Sequence, residues 1–447
     1  MKLFGTAGIR GITNKDITPE FALKIAMAYG SIFKGNIAVA RDNRFGAEMI
    51  ANAVISGLQA TGNRVYNLGI VPLPIFARYV ADYMDGGIMV TGSHTPPHMI
   101  GIIMVDSLGR DLYWDKSEEI EELYFRGKFS MEAWDHIEDS VWEDAIENYM
   151  RFIGRMAGDI GGYRIAIDPA NGAAAGIIDR ILESLGVEVY CINCERKKIP
   201  NRPSEPRREN LRELAKISSN FDLGAATDVD ADRVLFASKG EVLSEDLIGA
   251  IFAENFGAEK IVTPINSSSL IEFVAEKRGF EVIYCPVGPP EIAEAIIRNK
   301  ASFGYEETGK YIFPPYTLWG DSILSIVNLL KIMDREGSDL TELSRRYPKF
   351  YQVKEKIPVE RKIKKDLVNK IGDYLEENPP QEVIKIIRVD GVKIIYPDGW
   401  LLIRASGTED VVRIFSDAKS VKRARELVEW GKKLTRNFIS SFSLLLR

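Results

Sequence analysis

The sequence predicts three related α/β domains followed by one α+β domain. The first observation behind this is a pattern that recurs three times. Ile37-Ala-Val-Ala-Arg-Asp42 is an apolar run ending in polar residues, an amphipathic stretch follows from about Gly46 to Thr61, and Gly62-Asn-Arg-Val65 leads into a second apolar run. Arg164-Ile-Ala-Ile-Asp168 repeats it, with a helical stretch to Ser184-Leu-Gly186 and a strand at 187–192; Lys260-Ile-Val-Thr-Pro264 does so again, with a helix to Arg278-Gly279 and a strand at 280–285. Each copy reads strand, helix, glycine stop, strand, and such units build parallel sheets through short right-handed crossovers.

The second observation is that the end of the chain reads differently. Trp400-Leu-Leu-Ile-Arg404 and Val411-Val-Arg-Ile-Phe415 are strands about a loop from Ala405 to Asp410, and Val421 to Thr435 has helical spacing. That predicts antiparallel pairing beside a helix. The third is length: 447 residues suggest three or four domains. Boundaries fall in the glycine-rich stretch Arg155–Gly162, at the Lys239-Gly240 turn and near Pro348 to Pro358. The expected domains are 1–155, 156–243, 244–350 and 351–447.

Composition narrows the function classes. The chain is 45% hydrophobic and 27% charged, with a net charge of −6. This balance gives no support for nucleic acid, which favours a basic surface. Bound phosphate must be gathered by a local cluster of donors. The start shows no signal peptide, and no apolar run reaches the ~18 residues of a membrane span. The apolar tail Phe438 to Leu446 reads as the closing helix of the last domain, ahead of a partner interface. Three cysteines argue against a disulfide framework. Cys191 and Cys194 have CxxC spacing without a second pair, and read as half-buried thiols at a strand end, consistent with a reducing cytoplasm.

Four loops carry candidate chemistry. Thr91-Gly-Ser-His-Thr-Pro-Pro97 follows the apolar run Gly87 to Val90, so Ser93 sits on a rigid turn suited to a nucleophile or phosphate carrier, with His94 beside it. Taken alone, a bland turn serine is the safer reading. Asp228-Val-Asp-Ala-Asp232-Arg233 offers three carboxylates at alternate positions between apolar runs, a donor set for one hard cation such as Mg²⁺. It fails the calcium-loop pattern at Arg233 and Lys239. Gly304-Tyr-Glu-Glu-Thr-Gly-Lys310 nearly matches a nucleotide phosphate loop but ends in Tyr311, and Glu306 and Glu307 would repel a triphosphate. Carboxylates there suit sugar hydroxyls. Arg404-Ala-Ser-Gly-Thr-Glu409 offers Arg404, two hydroxyls and backbone donors freed by Gly407, a nest for a phosphate dianion. Asn171-Gly-Ala-Ala-Ala-Gly176 lacks dinucleotide-loop spacing and reads as close strand–helix packing.

In this order, one per domain, the four loops resemble those of the α-D-phosphohexomutase superfamily, the phosphoglucomutases, phosphomannomutases and phosphoglucosamine mutases. Further matches are Phe4-Gly-Thr-Ala-Gly-Ile-Arg-Gly11, Arg41-Asp-Asn-Arg44, Asp168-Pro-Ala-Asn-Gly172, Pro200-Asn-Arg-Pro203, Asn266-Ser-Ser268 and Pro286-Val-Gly288. The resemblance covers nearly the whole chain. It implies mixed, largely parallel sheets in the first three domains and a central cleft shared by all four. It implies a phosphorylated Ser93 that passes its phosphoryl group to a sugar monophosphate and recovers one from the bisphosphate, an interchange between C1 and C6 or its pentose equivalent. Ser93, Asp228, Asp230 and Asp232 would hold Mg²⁺, and a sugar 1,6-bisphosphate or pentose bisphosphate would act as activator. Arg10 would support the transfer with Ser93 and His94. Arg233, Glu306 and Thr308 would bind sugar, and Arg404, Ser406, Gly407, Thr408 and Arg413 would bind its non-reacting phosphate. The implied ligand is a small sugar phosphate, with no nucleic acid and no membrane, in a cytoplasmic enzyme whose oligomeric state, a homo-oligomer included, stays open.

Several positions depart from the family pattern. Thr95 replaces asparagine, Ile103 replaces a lysine associated with proton transfer, Val229 and Tyr305 replace glycines, Lys310 stands where histidine is common, and Asp410 replaces proline. Three readings follow: a mutase of altered substrate, a pentose phosphate or an amino sugar, in which Lys310 or His94 carries the proton; an ordinary phosphoglucomutase/phosphomannomutase; or a catalytically weak sugar-phosphate binder. Retention of Ser93, the aspartates and the clamp counts against the last. Loss of an acid–base group costs ~10²–10⁴ in rate, so slow turnover alone would not separate them.

Overall fold

The computed structural model describes residues 3–5, 8–407 and 409–445, with side chains as far as residue 440. Four sheets follow one another along the chain. The first runs Ile9–Ile12, Met99–Asp106, Gly86–Val90, Asn36–Arg41, Arg64–Ile70, Val141–Trp142. Its first two pairings are antiparallel and the rest parallel. The second runs Glu241–Val242, Val234–Ser238, Leu223–Thr227, Arg164–Asp168, Glu188–Cys191, with parallel pairs at the last two junctions. The third runs Glu281–Cys285, Lys260–Pro264, Phe303–Glu306, Lys310–Ile312, parallel except for the final hairpin. The fourth is wholly antiparallel: Tyr351–Pro358, Val411–Ala418, Gly399–Ala405, Val392–Tyr396, Lys385–Ile387. The mixed α/β sheets and the closing antiparallel sheet are those the sequence predicts.

Helix ends follow local chemistry. Helix Pro19–Ile32 starts with Thr18, whose hydroxyl accepts from Phe21 N at 3.1 Å, and places proline in its first turn, where no backbone donor is needed. Helix Ser322–Glu336 is capped by buried Asp321, which accepts from Leu324 N at 2.9 Å, and it stops at Gly337. Tyr149, buried in helix Ala145–Ala157, donates to the same carboxylate. The central core runs through the first three domains, and a separate core fills the fourth. A smaller cluster of Ile265, Trp400, Leu402 and Phe415 seals the seam between the third and fourth domains.

Three expectations are corrected. The helix after the second domain's first strand covers only Ile178–Glu183. Ala170 and Asn171 adopt left-handed backbone, and Ala173 N donates to Val229 O at 2.7 Å. The Asn171–Gly176 loop thus packs on the aspartate loop rather than between strand and helix. The apolar tail does belong to the closing helix of the last domain, as expected: Val421–Leu445 is continuous, and Leu446 lies outside the described residues. Cys191 and Cys194 are half-buried as expected, but they are joined as a disulfide. A tight turn with Asn193 at φ 58° brings their Cα atoms to 5.8 Å, inside the bridgeable range. The cysteines therefore give no argument for a reducing compartment. Among the described residues no helix is long and apolar enough to cross a membrane.

Candidate active site

Ser93 follows a fully buried strand and is itself 2% exposed. Its φ of 47° is left-handed, a strain of roughly 1–3 kcal/mol that neighbouring contacts must hold. Arg44 does much of this. It donates to Ser93 O, to Pro96 O at 3.1 Å and to Met99 O at 3.0 Å, and pairs with Asp42 at 3.3 Å. A Cβ on Gly92 would lie 1.9 Å from Arg44 Nη1, so only glycine lets the guanidinium pass behind the serine. Thr95, the departure from asparagine, closes the turn by donating to Gly92 O at 2.6 Å.

The aspartate loop meets this turn from the second domain. Ser93 Oγ donates to Asp228 Oδ2 at 3.1 Å, and Thr91 Oγ1 lies 3.0 Å from Asp230 Oδ2. Asp228, Asp230 and Asp232 are buried, with one carboxylate oxygen of each lying within 4.8 Å of the others. Asp230 Oδ1 and Asp232 Oδ1 are buried without hydrogen-bond partners. Burial first, then the neighbouring carboxylates, pushes Asp228 well above the usual carboxylate range, and Asp230 upward as well. Asp232 goes the other way. Burial opposes its ionisation, but Lys310 and Arg233 outweigh it and hold it down to about 2. Crowded, buried carboxylates with orphan oxygens fit one hard cation.

The third domain supplies Lys310, whose ammonium donates to Asp232 Oδ2 at 2.6 Å; Trp319 Nε1 donates to the same oxygen at 3.0 Å. Lys310 is thus a partner of the aspartate loop. His94 also lies beside the serine, with Nδ1 at 3.3 Å from Ser93 Oγ and Nε2 at 3.4 Å from Arg10 Nη1. Burial, then Arg233 and Arg10, lowers its pKa to about 2, so its imidazole is neutral. Ile103 is 2% exposed in apolar packing and carries no proton. Arg233 sits beside the aspartates, ion-paired with Glu205 at 3.0 Å.

Glu306 and Thr308 lie in the hairpin between Phe303–Glu306 and Lys310–Ile312, where Thr308 Oγ1 donates to Glu306 at 2.8 Å. Val234 N donates to Gly309 O at 2.9 Å and docks this hairpin beside the aspartate loop. The Arg404 loop is separate. Arg404 is 7% exposed and its Nε donates to Asp390 at 2.6 Å. Ser406 Oγ accepts from Glu409 N at 3.2 Å, and nothing lies within 4 Å of a Cβ placed on Gly407. Arg413 pairs with Arg404 across the strands and donates to Glu409 at 2.9 Å. Thr408 lies outside the described residues. Among the described residues no hydrogen bond or ion pair joins residues 404–413 to Ser93 or the aspartates. Sequence reasoning assigned no role to Arg44, Asp42, Trp319 or Asp390; only Arg44 and Asp42 lay in a segment it singled out.

The chain matches the phosphoglucomutase/phosphomannomutase models throughout: α/β/α domain I over 1–131, domain II over 144–241, domain III over 244–350 and the C-terminal domain over 355–429. It is 37% identical to a phosphoglucomutase/phosphomannomutase of Thermococcus kodakarensis, over 97% of this chain and 98% of that protein. It is 35% identical to a phosphoglucosamine/phosphogalactosamine mutase of Sulfurisphaera tokodaii, over 97% and 99%. It is 34% identical to a phosphopentomutase of Thermococcus kodakarensis, over 96% of each chain.

Proposed function

We propose that this chain, which belongs to the phosphoglucomutase/phosphomannomutase family of phosphohexomutase isomerases, interconverts the 1- and 6-phosphates of a hexose through a phosphorylated Ser93. One observation carries the reading. A strained, buried serine hydroxyl stands 3.1 Å from one of three crowded aspartates, and two of these, Asp230 and Asp232, each keep one buried oxygen without a hydrogen-bond partner. Asp228, Asp230 and Asp232 are the residues that would hold Mg²⁺ together with the phosphate on Ser93, and the ion would supply charge neutralisation for phosphoryl transfer.

In each half-reaction a sugar hydroxyl oxygen forms a bond to phosphorus as the Ser93 Oγ–phosphorus bond breaks. The hydroxyl proton is lost and Ser93 Oγ gains one. His94, whose Nδ1 lies 3.3 Å from Oγ, is the group we assign to relay it. Burial and the neighbouring arginines hold its pKa low, and the phosphate dianion on Ser93 would offset the arginines and let the ring take up and return the proton. Lys310, paired with Asp232, orients the aspartate loop instead. Arg10 and Arg233 add positive charge around the transferring group. Glu306 and Thr308 accept and donate hydrogen bonds to sugar hydroxyls, and Arg404, Ser406, Gly407, Thr408 and Arg413 take the phosphate that does not react. The bisphosphate intermediate, added externally, would serve as activator by phosphorylating Ser93.

Glucose and mannose phosphates are the first choice because the relative at 37% identity bears those names. A pentose or amino-sugar phosphate is the second reading, favoured by relatives at 34% and 35% and by the altered loops at Tyr305 and Lys310. The test is intact mass and a phosphopeptide map of the purified protein with Mg²⁺ and glucose, mannose, glucosamine and pentose bisphosphates. One added phosphoryl group on the Ser93 peptide is expected, and the best donor names the sugar. No phosphate on Ser93 under any condition would overturn the mechanism and favour a binder.

A further inference from the structure

Arg404 is not presented to the cleft by its own strand alone. Its Nε donates to Asp390 Oδ2 at 2.6 Å, and the same oxygen accepts from Val287 N, in the third domain, at 3.2 Å. Asp390 precedes strand Val392–Tyr396. The next residue, Gly391, has φ of 114°, and a Cβ there would lie 2.4 Å from Ile403 O and 3.0 Å from Arg404 Cα. Glycine alone lets this turn lie flat against the backbone of 403–404, which brings the Asp390 carboxylate alongside the arginine. Among the described residues the terminal nitrogens of Arg404 have no hydrogen-bond partner, so the half of the fork that suits a phosphate stays available.

We propose that Asp390 is a positioning residue that aims Arg404 at the non-reacting phosphate and ties the clamp to the third domain through Val287. The inference rests on the clamp reading of Arg404. Its physical basis is selective engagement. A carboxylate on Nε fixes the guanidinium plane and lowers the entropy cost of binding a phosphate at the terminal nitrogens. Because the same oxygen also holds Val287 N, the clamp is oriented only while the fourth domain is docked on the third. The seam is built to stay docked: Ser269 N donates to Asp417 Oδ1 at 3.1 Å, Lys354 pairs with Glu307 at 2.7 Å, and Lys393 is buried over the Tyr284 and Trp400 rings. Glu307 lies next to Glu306, so the sugar loop and the clamp share this seam.

The test compares acceptors with and without the phosphate that the clamp would hold. Phosphorylated enzyme is mixed with glucose 6-phosphate or glucose, and with ribose 5-phosphate or ribose, and loss of phosphate from Ser93 is followed. The readout is the ratio of kcat/KM between each sugar phosphate and its parent sugar, for wild type, Asp390→Ala, Asp390→Asn and Arg404→Ala. Asp390→Ala should narrow this preference about tenfold, mainly through KM. Asp390→Asn, whose amide oxygen still accepts from Nε, should recover part of it. A preference unchanged in Asp390→Ala but lost in Arg404→Ala would overturn the positioning role and leave the clamp reading intact. Equal losses toward phosphorylated and parent sugars would show a structural role only and also overturn it. A preference unchanged in Arg404→Ala would overturn both readings.

Discussion

The two ends of the cleft are built differently. Around Ser93 three domains converge, and the contacts are buried, short and each involve a charged group: Arg44 on the serine turn, Ser93 on Asp228, Lys310 and Trp319 on Asp232. Around Arg404 one antiparallel sheet supplies almost everything, and its charges are satisfied locally by Asp390 and Glu409. The first region stores strain and unpaired oxygens; the second is a pre-aimed donor set on a separate domain. Phosphoryl transfer depends on charge stabilisation at the reacting atom, whereas holding a remote phosphate stabilises ground state and transition state alike. The difference therefore predicts that changes near Ser93 fall on kcat and changes near Arg404 fall on KM.

The largest effect should come from Ser93→Ala. Removing the phosphate carrier should lower kcat by at least ~10⁴-fold, while calorimetry should find sugar-phosphate binding within a few-fold of wild type. Turnover that survives in this variant would remove the reacting centre from Ser93 and collapse the comparison at its stronger end. Next in size, Arg404→Ala should raise KM by roughly 10- to 100-fold with kcat little changed, the loss of charged hydrogen bonds worth about 1.5–3 kcal/mol. Steady-state kinetics decide it. A fall in kcat of similar size would mean that the clamp also senses the transition state.

How much of this was legible in the sequence follows the same divide. Ser93, Asp228, Asp230, Asp232 and the Arg404 to Gly407 stretch could be singled out as candidates because each loop is contiguous and flanked by apolar strands. The repeated strand–helix–strand units likewise announced the α/β sheets. What stayed hidden acts across the chain: Arg44 reaches Ser93 from 49 residues away, Trp319 reaches Asp232 from 87, and Asp390 reaches Arg404 through a turn. No local spacing marks such partners, because the fold alone brings them together. The CxxC pair misled in the opposite sense: its spacing was noticed, but pairing depends on a backbone turn that composition does not encode.

Asp111 sharpens the comparison by pH. It is 5% exposed, its Oδ2 has no partner, and burial pushes its pKa to about 7 against the pull of Lys310 and Arg10, with Asp232 and Asp106 adding to the rise. The folded pKa lies above the unfolded value of ~3.9. Between those values the folded state holds the proton and the unfolded state does not. Its contribution to stability is thus complete below pH ~4 and is lost as pH rises to about 7, at roughly 1.4 kcal/mol per pH unit. Asp111→Asn removes this titration. Melting curves without added metal should show the variant gaining on wild type from pH 4 to 8. Parallel curves would mean that the carboxyl is ionised and paired throughout.

The smallest expected effect tests whether the reacting centre is buttressed from behind. Tyr149 donates to the buried cap Asp321, 2.7 Å from Oδ2. That cap begins helix Ser322–Glu336 and lies two residues after Trp319, whose indole holds Asp232, while Ser322 N donates to Ala231 O at 3.3 Å. Tyr149→Phe keeps the ring and deletes the hydroxyl, leaving the Asp321 carboxylate accepting from the Leu324 amide. The loss of one buried hydrogen bond should cost about 1–2 kcal/mol, read as a thermal midpoint lower by a few degrees. Because the segment it steadies touches the aspartate loop and not the clamp, kcat should fall by less than about tenfold while KM stays near wild type. A variant that instead raises KM would show that packing around Tyr149 reaches the clamp, and that the two ends of the cleft are coupled through the scaffold rather than set independently by their own contacts.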